Sequence, residues 1–325
     1  MATTTRAISI DTVRAAVPRI AGVAVRTPTI RFDPLDRSDA QIFLKLEVFQ
    51  PIGSFKIRGA MNAVAQLPPS SVRDGIWTVS AGNAAQGVAL AAREIGARAS
   101  VLVMDTAPAT KLAAIRRLGA EVVQATYDEC WKAVETGRSD RMRGHFVHPF
   151  DDDDFISGNG TAALEILEDV PDVDAVIAPI GGGGLLAGVG CVMRAARPSA
   201  RVYAAEPATA APLSASLAAN GPVRFDGWTA SFVDGAGGKS VLPSMWPLLK
   251  NGVDASIVVS LDEAAAGMER VARQCHVIAE GAAACAVAAA LSPAFRAHGH
   301  RRVVVVVSGG NIDLSRFASL TIPIP

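Results

Sequence analysis

Short apolar runs alternate with amphipathic stretches along most of the chain. Residues 8–24 carry apolar side chains at helical spacing, and residues 42–47 alternate as a strand does. Further strands are predicted at 76–79, 100–104, 121–123, 145–147, 173–178, 201–205 and 302–307, and further helices at 83–95, 109–118, 127–136, 157–168 and 185–196. This alternation predicts an α/β fold with parallel sheets, and the valine run 303–307 predicts a strand covered on both faces.

Two segments interrupt this pattern. Residues 220–245 are rich in glycine, proline and tryptophan and have no period. They predict a long irregular loop, a kind of segment that often contributes to binding. Residues 151–154 are four consecutive aspartates without spaced ligand partners. We interpret them as a solvated turn rather than a metal site.

Composition narrows the functional classes. The 325 residues are 50% hydrophobic and have a net charge of +0, which argues against nucleic acid or an anionic membrane as the main partner. The longest apolar run, 282–291, is too short to span a bilayer, and charged residues interrupt the N-terminal segment. We therefore expect a cytoplasmic protein. Its four cysteines and five histidines have no zinc-like spacing, so we expect buried thiols and no metal.

A turn-rich segment at residues 50–59, Gln-Pro-Ile-Gly-Ser-Phe-Lys-Ile-Arg-Gly, precedes a helix-like run. Ser54 is a good N-cap, so Lys56 is predicted in the first turn of that helix. A cation there opposes the helix dipole, which lowers the pKa of the lysine and eases imine formation with an aldehyde cofactor. An isolated lysine is more often a solvated surface residue, so the case for Lys56 depends on the neighbouring motifs.

Four glycines at residues 181–184 lie between a predicted strand and a predicted helix. Their backbone N–H groups can converge on one anion, and the absence of side chains lets a phosphate approach. The glycines together with Ala187 also fit a dinucleotide fingerprint, with Glu206 as the ribose-binding acid. A nicotinamide-dependent oxidoreductase is therefore an alternative, although it gives no role to Lys56.

Two more loops follow predicted strands. Residues 80–87, Ser-Ala-Gly-Asn-Ala-Ala-Gln-Gly, offer a helix N-terminus to a second anion, and a simple N-cap is the plainer interpretation. Residues 308–311, Ser-Gly-Gly-Asn, follow the valine strand at its carboxyl end, where ligands bind in α/β sheets. The plainer interpretation of this second loop is a strand-ending turn.

Read together and in this order, the four motifs resemble those of the pyridoxal-phosphate (PLP) enzymes of the threonine dehydratase and serine racemase family, and the resemblance spans almost the whole chain. It implies the tryptophan synthase β-like architecture, PLP fold type II, with two three-layer α/β domains and the cofactor in the cleft between them. Residues 1–60 and 152–325 would form the large domain and residues 61–151 the small one. It also implies a homodimer acting on an amino acid.

The resemblance assigns roles to the motifs. Lys56 would hold PLP as an imine and, once freed, remove the α-proton of the substrate. Asn83 would reach the phenolic oxygen, Ser308 the pyridine nitrogen, and Gly235 would face the ring opposite Phe55. The cofactor-binding residues so implied are Phe55, Lys56, Asn83, Gly181, Gly182, Gly183, Gly184, Leu185, Gly235, Glu280 and Ser308. The substrate carboxylate would bind to Ser80, Ala81, Gly82, Asn83 and Ala84.

The implied reaction is that of an ammonia-lyase, or dehydratase, which removes water and ammonia from a serine- or threonine-like β-hydroxy α-amino acid to give a 2-oxo acid. A hydroxyl such as that of Ser308 leaves the cofactor a moderate electron sink, which suits loss of the β-hydroxyl better than transamination. A racemase or β-replacement enzyme of the same fold is an alternative. A catalytically silent PLP-binding or amino-acid-sensing protein is another.

The sequence departs from the family at several positions. Ala84 stands where members usually carry histidine, which leaves the substrate open. Pro212 stands where metal-dependent relatives carry a carboxylate, so no structural magnesium is expected. Ala81 stands where serine racemases carry the serine that is their second proton donor, so we expect dehydration with little racemisation. Only a short segment follows Ser308, so no C-terminal regulatory domain is expected.

Overall fold

Ten strands form two sheets in the computed structural model, which describes residues 6–32 and 40–322. The strands are β1 (Thr29–Phe32), β2 (Gln41–Leu46), β3 (Ile76–Val79), β4 (Ala99–Met104), β5 (Glu121–Ala125), β6 (His145–Phe146), β7 (Ala175–Pro179), β8 (Arg201–Pro207), β9 (Ala255–Val259) and β10 (Arg302–Val307). The larger sheet has the order β1-β2-β10-β7-β8-β9, and the smaller has the order β5-β4-β3-β6. All neighbours pair in parallel except β1 and β2. The predicted α/β class with parallel sheets is confirmed.

Helices connect most of these strands. They are α1 (Ile10–Ile20), α2 (Lys56–Ala65), α3 (Asn83–Glu94), α4 (Ala109–Arg117), α5 (Tyr127–Thr136), α6 (Asp153–Asp169), α7 (Gly184–Ala196), α8 (Pro212–Ala219), α9 (Trp246–Gly252), α10 (Leu261–Cys275), α11 (Gly281–Leu291), α12 (Pro293–Arg296) and α13 (Leu314–Thr321). None of these described helices combines the length and the apolar character needed to cross a membrane. Between α8 and α9 the chain is irregular apart from one short 3-10 helix, as predicted.

The valine run forms β10, which lies between β2 and β7 in the larger sheet. Val303, Val305 and Val307 pack into the hydrophobic cluster on one face of the sheet, and Val304 and Val306 pack into the cluster on the other. Each of the five is at most 1% exposed. The strand is therefore covered on both faces, as the unbroken apolar run predicted.

Close helix packing fixes two of the predicted loops relative to each other. Helix α6 contacts both α2 and α7. A Cβ at Gly158 would overlap the backbone oxygen of Arg58 in α2, and a Cβ at Gly188 in α7 would lie 2.6 Å from the backbone oxygen of Ile156 in α6. Only glycine permits these approaches. The two approaches hold the first residues of α2 and α7, Lys56 and Gly184, in fixed relation.

The predicted solvated turn at residues 151–154 is wrong. The Asp152 side chain accepts a hydrogen bond from the backbone N–H of Phe155 and caps α6, which begins at Asp153. Asp151 and Asp153 both form ion pairs with Arg6. Acidic side chains are favourable at a helix N-terminus, and a counter-ion from the start of the chain completes their pairing.

The proposed division into residues 1–60 with 152–325 and residues 61–151 stays a prediction. All four strands of the smaller sheet fall within 61–151, whereas the boundary at residue 60 falls inside α2. The expectation of buried thiols holds for Cys130 and Cys285, while Cys191 and Cys275 are only half-buried.

Candidate active site

A cavity of about 730 Å³ lies at the carboxyl ends of strands from both sheets. It brings together all the site residues that the sequence predicts. These are Phe55, Lys56, Ser80, Ala81, Gly82, Asn83, Ala84, Gly181, Gly182, Gly183, Gly184, Leu185, Gly235, Glu280 and Ser308. These residues come from six separate segments of the chain, so one cavity at this edge of the sheets gives all four motifs, together with Gly235 and Glu280, a common ligand site.

Lys56 is the first residue of α2, and its amine lies inside the cavity lining. Its Nζ donates a hydrogen bond to the backbone oxygen of Pro149 at 2.8 Å and lies 5.4 Å from the ring centre of Phe155. Burial lowers the pKa of the Lys56 amine to about 8, against the opposing charge of Glu280. The amine is therefore poised to exchange a proton near neutral pH.

The predicted N-cap of α2 is wrong. Phe55, not Ser54, is the residue that precedes the helix, and it forms no side-chain cap. Ser54 instead pairs through its backbone with Gly309, and its buried hydroxyl has no hydrogen-bond partner among the described groups. The lowered pKa of Lys56 thus has burial, rather than the helix dipole, as its largest cause.

The glycine loop leads directly into α7. Gly183 has φ +94°, a left-handed conformation that favours glycine, and provides no side-chain cap for the helix. A Cβ at Gly182 would overlap the ring of Phe150, and a Cβ at Gly181 would lie 2.5 Å from the backbone oxygen of Gly235. The glycine loop is therefore packed closely against Phe150 and Gly235 while it lines the cavity, and the first N–H groups of α7 have no side-chain cap, as an anion site requires.

A polar contact joins the loops of the two sheets. Asn83 donates from Nδ2 to Glu280 Oε1 at 2.8 Å, and Asn311 donates from Nδ2 to Asn83 Oδ1 at 2.7 Å. Asn83 is the first residue of α3 rather than its cap, so the simple N-cap interpretation is wrong. Burial raises the pKa of the Glu280 carboxyl to about 7, and the charge of Asp234 adds to the shift.

The loop that begins at Ser308 also lines the cavity. Ser308 is 2% exposed, and its backbone oxygen accepts a hydrogen bond from the N–H of Phe55 at 3.0 Å. Ser308 lines the cavity, where its hydroxyl can meet a ligand. A Cβ at Gly309 would lie 2.6 Å from Glu280 Oε1, which explains the glycine after the serine.

Several cavity residues were not predicted from the sequence. Lys239 Nζ lies 4.3 Å from the ring centres of both Tyr127 and Trp228, and Lys111 pairs with Asp234. The irregular composition of residues 220–245 pointed to this loop, but not to its individual residues. No sequence signal marked the contribution of α5.

Glu206 does not reach the cavity. This fully buried carboxylate accepts hydrogen bonds from the backbone N–H groups of Leu213 and Ser214, each at 2.8 Å, and from the Ser256 hydroxyl at 2.5 Å. It stabilises the start of α8, and Pro212 is the first residue of that helix. Glu206 is therefore not available as the ribose-binding acid of a dinucleotide site.

Comparison with known proteins gives concordant results. The model of a family described as "Pyridoxal-phosphate dependent enzyme" matches residues 20–309. The chain is 36% identical over 311 residues to an L-threonine ammonia-lyase of Thermotoga maritima, covering 95% of this chain and 77% of the relative. It is also 36% identical over 315 residues to a serine racemase of Oryza sativa subsp. indica, covering 95% and 92%. The solved structure of maize serine racemase superposes with a TM-score of 0.88 at 34% identity, covering 96% of each chain.

Proposed function

The chain belongs to the family of pyridoxal-phosphate dependent enzymes, and within it we propose an ammonia-lyase that converts a β-hydroxy α-amino acid to a 2-oxo acid and ammonia. PLP is the cofactor and fold type II the architecture, as the sequence predicted, and the nicotinamide alternative is wrong. Relatives of both names, threonine ammonia-lyase and serine racemase, match the chain equally well. The choice between elimination and racemisation therefore depends on the residues of this cavity. The homodimer and the cytoplasmic location remain part of the proposal.

The cavity residues fit this cofactor. The glycine loop offers uncapped N–H groups where any side chain would clash, which suits a phosphate. The Ser308 hydroxyl, on a residue that lines the cavity, suits the pyridine nitrogen. Among the described residues Asn83 Nδ2 donates to Glu280, which leaves its second hydrogen for the phenolic oxygen. When bound, PLP stabilises the negative charge that develops on the α-carbon of an amino acid.

Lys56 is the proposed base. Its pKa of about 8 leaves a useful fraction of neutral amine near pH 7, and Pro149 fixes the position of Nζ by a hydrogen bond. A proton taken from the α-carbon therefore resides on Lys56 Nζ. Burial makes this amine a weaker base than an exposed lysine, but a larger fraction of it is neutral near pH 7 and able to accept the proton.

The loop at residues 80–84 is the proposed carboxylate site. It ends at the start of α3, whose N-cap, Gly82, provides no side-chain hydrogen bond. The Ser80 hydroxyl accepts a hydrogen bond from the Gly82 N–H at 3.0 Å, which fixes the loop and leaves the hydroxyl proton available to a ligand. Backbone donors and this hydroxyl would orient the amino acid with its α-carbon toward Lys56.

The observation that carries elimination over racemisation is Ala81. Racemisation needs a proton donor on each face of the α-carbon, and Lys56 serves only one of them. Ala81 lines the cavity with a methyl group, which has no proton to give. Dehydration needs no second donor at the α-carbon, because the β-hydroxyl leaves after the α-proton is removed.

Chiral chromatography tests this proposal. The purified holoenzyme, incubated with an accepted L-amino acid, should form a 2-oxo acid and ammonia without accumulating the D-enantiomer. Ala81→Ser should introduce D-amino acid formation while elimination continues. Rapid accumulation of the D-enantiomer by the wild type would refute the assignment as a dehydratase.

A further inference from the structure

One side of the cavity is continuous with the hydrophobic core of the smaller sheet. Six residues that line the cavity belong to a single hydrophobic cluster between that sheet and α5. This set, the apolar wall, consists of Val79, Leu102, Met104, Cys130, Val134 and Phe150. Four of the six, Val79, Leu102, Cys130 and Val134, are buried. A core cluster that opens into a functional cavity is a surface for the apolar part of a ligand.

The apolar wall carries no charge. Burial raises the pKa of the Cys130 thiol to about 11, so the thiol is neutral at neutral pH. The charged residues that line the cavity lie outside this cluster, and they are Lys56, Lys111, Asp234, Lys239 and Glu280. The cavity thus has a charged region and a separate uncharged one.

The position of the apolar wall relates it to the reacting carbons. Val79 directly precedes Ser80, the first residue of the proposed carboxylate loop, and Phe150 lies against Gly182 of the glycine loop. The apolar wall therefore extends from the proposed carboxylate site to the proposed phosphate site. An amino acid held between these two loops would lie beside this surface, where its β-substituent could contact the apolar wall.

Serine and threonine can offer this surface little apolar contact. The β-carbon of serine carries only hydrogen besides its hydroxyl, and that of threonine carries one methyl group. Water against the remaining apolar surface would find few hydrogen-bond partners. A larger apolar substituent would displace this water and bury the apolar wall.

We propose that the physiological substrate is a β-hydroxy amino acid with a bulky apolar group on its β-carbon, in the class of 3-aryl or 3-alkyl serines. The inference rests on the proposed ammonia-lyase function and specifies its substrate class. The α-proton passes to Lys56 Nζ, the electron pair of the Cα–H bond forms the Cα=Cβ bond as the Cβ–O bond breaks, and the departing hydroxyl takes up a proton to leave as water. The resulting enamine tautomerises to an imine, and hydrolysis consumes one water to release ammonia and the 2-oxo acid.

A substrate series tests the inference on the holoenzyme. Release of 2-oxo acid is measured with L-serine, L-threonine, L-3-hydroxyaspartate and the diastereomers of 3-phenylserine. The best phenylserine isomer should have a kcat/KM at least about tenfold above that of threonine, since a single methylene in an apolar pocket is already worth about this factor. Preference for serine or threonine would overturn the inference and leave the ammonia-lyase function intact. Preference for 3-hydroxyaspartate would also overturn the inference, because it would indicate that Lys239 binds a carboxylate on the β-carbon. Failure of every substrate would instead contradict the proposed function.

A pair of variants tests whether the apolar wall is the surface that binds the β-substituent. Val134→Phe adds bulk at the apolar wall, and Val123→Phe adds the same bulk to the same cluster at a position that does not line the cavity. The ratio of kcat/KM for phenylserine over threonine should fall about tenfold in Val134→Phe and stay unchanged in Val123→Phe. Circular dichroism and cofactor absorbance verify folding. If Val134→Phe fails to fold, Val134→Ala replaces it and should raise the ratio for a naphthyl analogue over phenylserine. Equal effects of both phenylalanine variants, or no effect of Val134→Ala, would overturn the inference.

Discussion

Lys56 combines two properties that are rarely found in one lysine. Its amine is buried, and among the residues that the structure describes its single hydrogen-bond partner is the backbone oxygen of Pro149. An ammonium has three donors, so the charged form is under-satisfied at this position. The neutral form is correspondingly favoured, which suits both attachment of an aldehyde and acceptance of a proton.

Replacement of Lys56 tests its assignment. Lys56→Ala should lower turnover by roughly three orders of magnitude or more, because one side chain both attaches the cofactor and acts as the base. PLP should still bind through the glycine loop, and cofactor absorbance after gel filtration measures this. Borohydride treatment of the wild type should couple the cofactor to the peptide that contains Lys56. Near-normal turnover of Lys56→Ala, or labelling of another lysine, would contradict the assignment.

A buried ionic network anchors α2. Arg58, 1% exposed, donates from Nε and Nη2 to Glu47 at 2.8 Å each, and from Nη1 and Nη2 to Glu165 at 2.7 and 2.8 Å. Although burial opposes ionisation of Glu47, Arg58 holds the pKa of that carboxyl below its ordinary value. The network ties the helix that begins with Lys56 to Glu47, in the turn directly after β2, and to Glu165 in α6.

Removal of Arg58 should destabilise this anchor. Arg58→Met leaves Glu47 buried without its main counter-ion and should cost about 3–5 kcal/mol of unfolding free energy at pH 7. The lowered Glu47 pKa stabilises the wild type above the ordinary carboxyl pKa, and this contribution is lost as the pH falls below that value and through the lowered pKa. The decrease in unfolding free energy at acid pH should be smaller in Arg58→Met than in the wild type. Urea unfolding at several pH values measures both effects, and the double variant Arg58→Met with Glu47→Leu should recover part of the loss. Equal stability of Arg58→Met and the wild type would show that the network is not an anchor.

The strands and loops differ in how far the sequence predicts them. The central strand β10 was predictable, because burial on both faces demands an unbroken apolar run. The edge strands β1 and β9 were not predicted, since each is only partly buried and carries a weak pattern. The glycine loop was recognisable because its function is local. The contact of Asn83 with Glu280 joins residues 197 positions apart, and only the folded topology brings them together.

Across the whole molecule, the cavity is bridged by contacts between the two sheets. The ion pair of Lys111 with Asp234 links α4 to the irregular loop, and Asn83 links α3 to Glu280. Lys111 and Asp234 are 31% and 57% exposed, so their pair contributes little to global stability. Its effect is instead local, because both charges act on the buried Glu280 carboxyl.

Two variants of this pair separate a mechanical role from an electrostatic one. Asp234→Asn and Lys111→Met both remove the ion pair across the cavity. Asp234 raises the pKa of Glu280 and Lys111 lowers it, so the first variant should lower that pKa and the second should raise it. If the protonation of Glu280 controls turnover, the pH profiles of kcat should shift by several tenths of a pH unit, to lower pH in Asp234→Asn and to higher pH in Lys111→Met. Thermal unfolding should change little in either variant, since the pair is exposed. Profiles that move in the same direction, with equal increases in KM, would show that the pair acts only by holding the cavity closed.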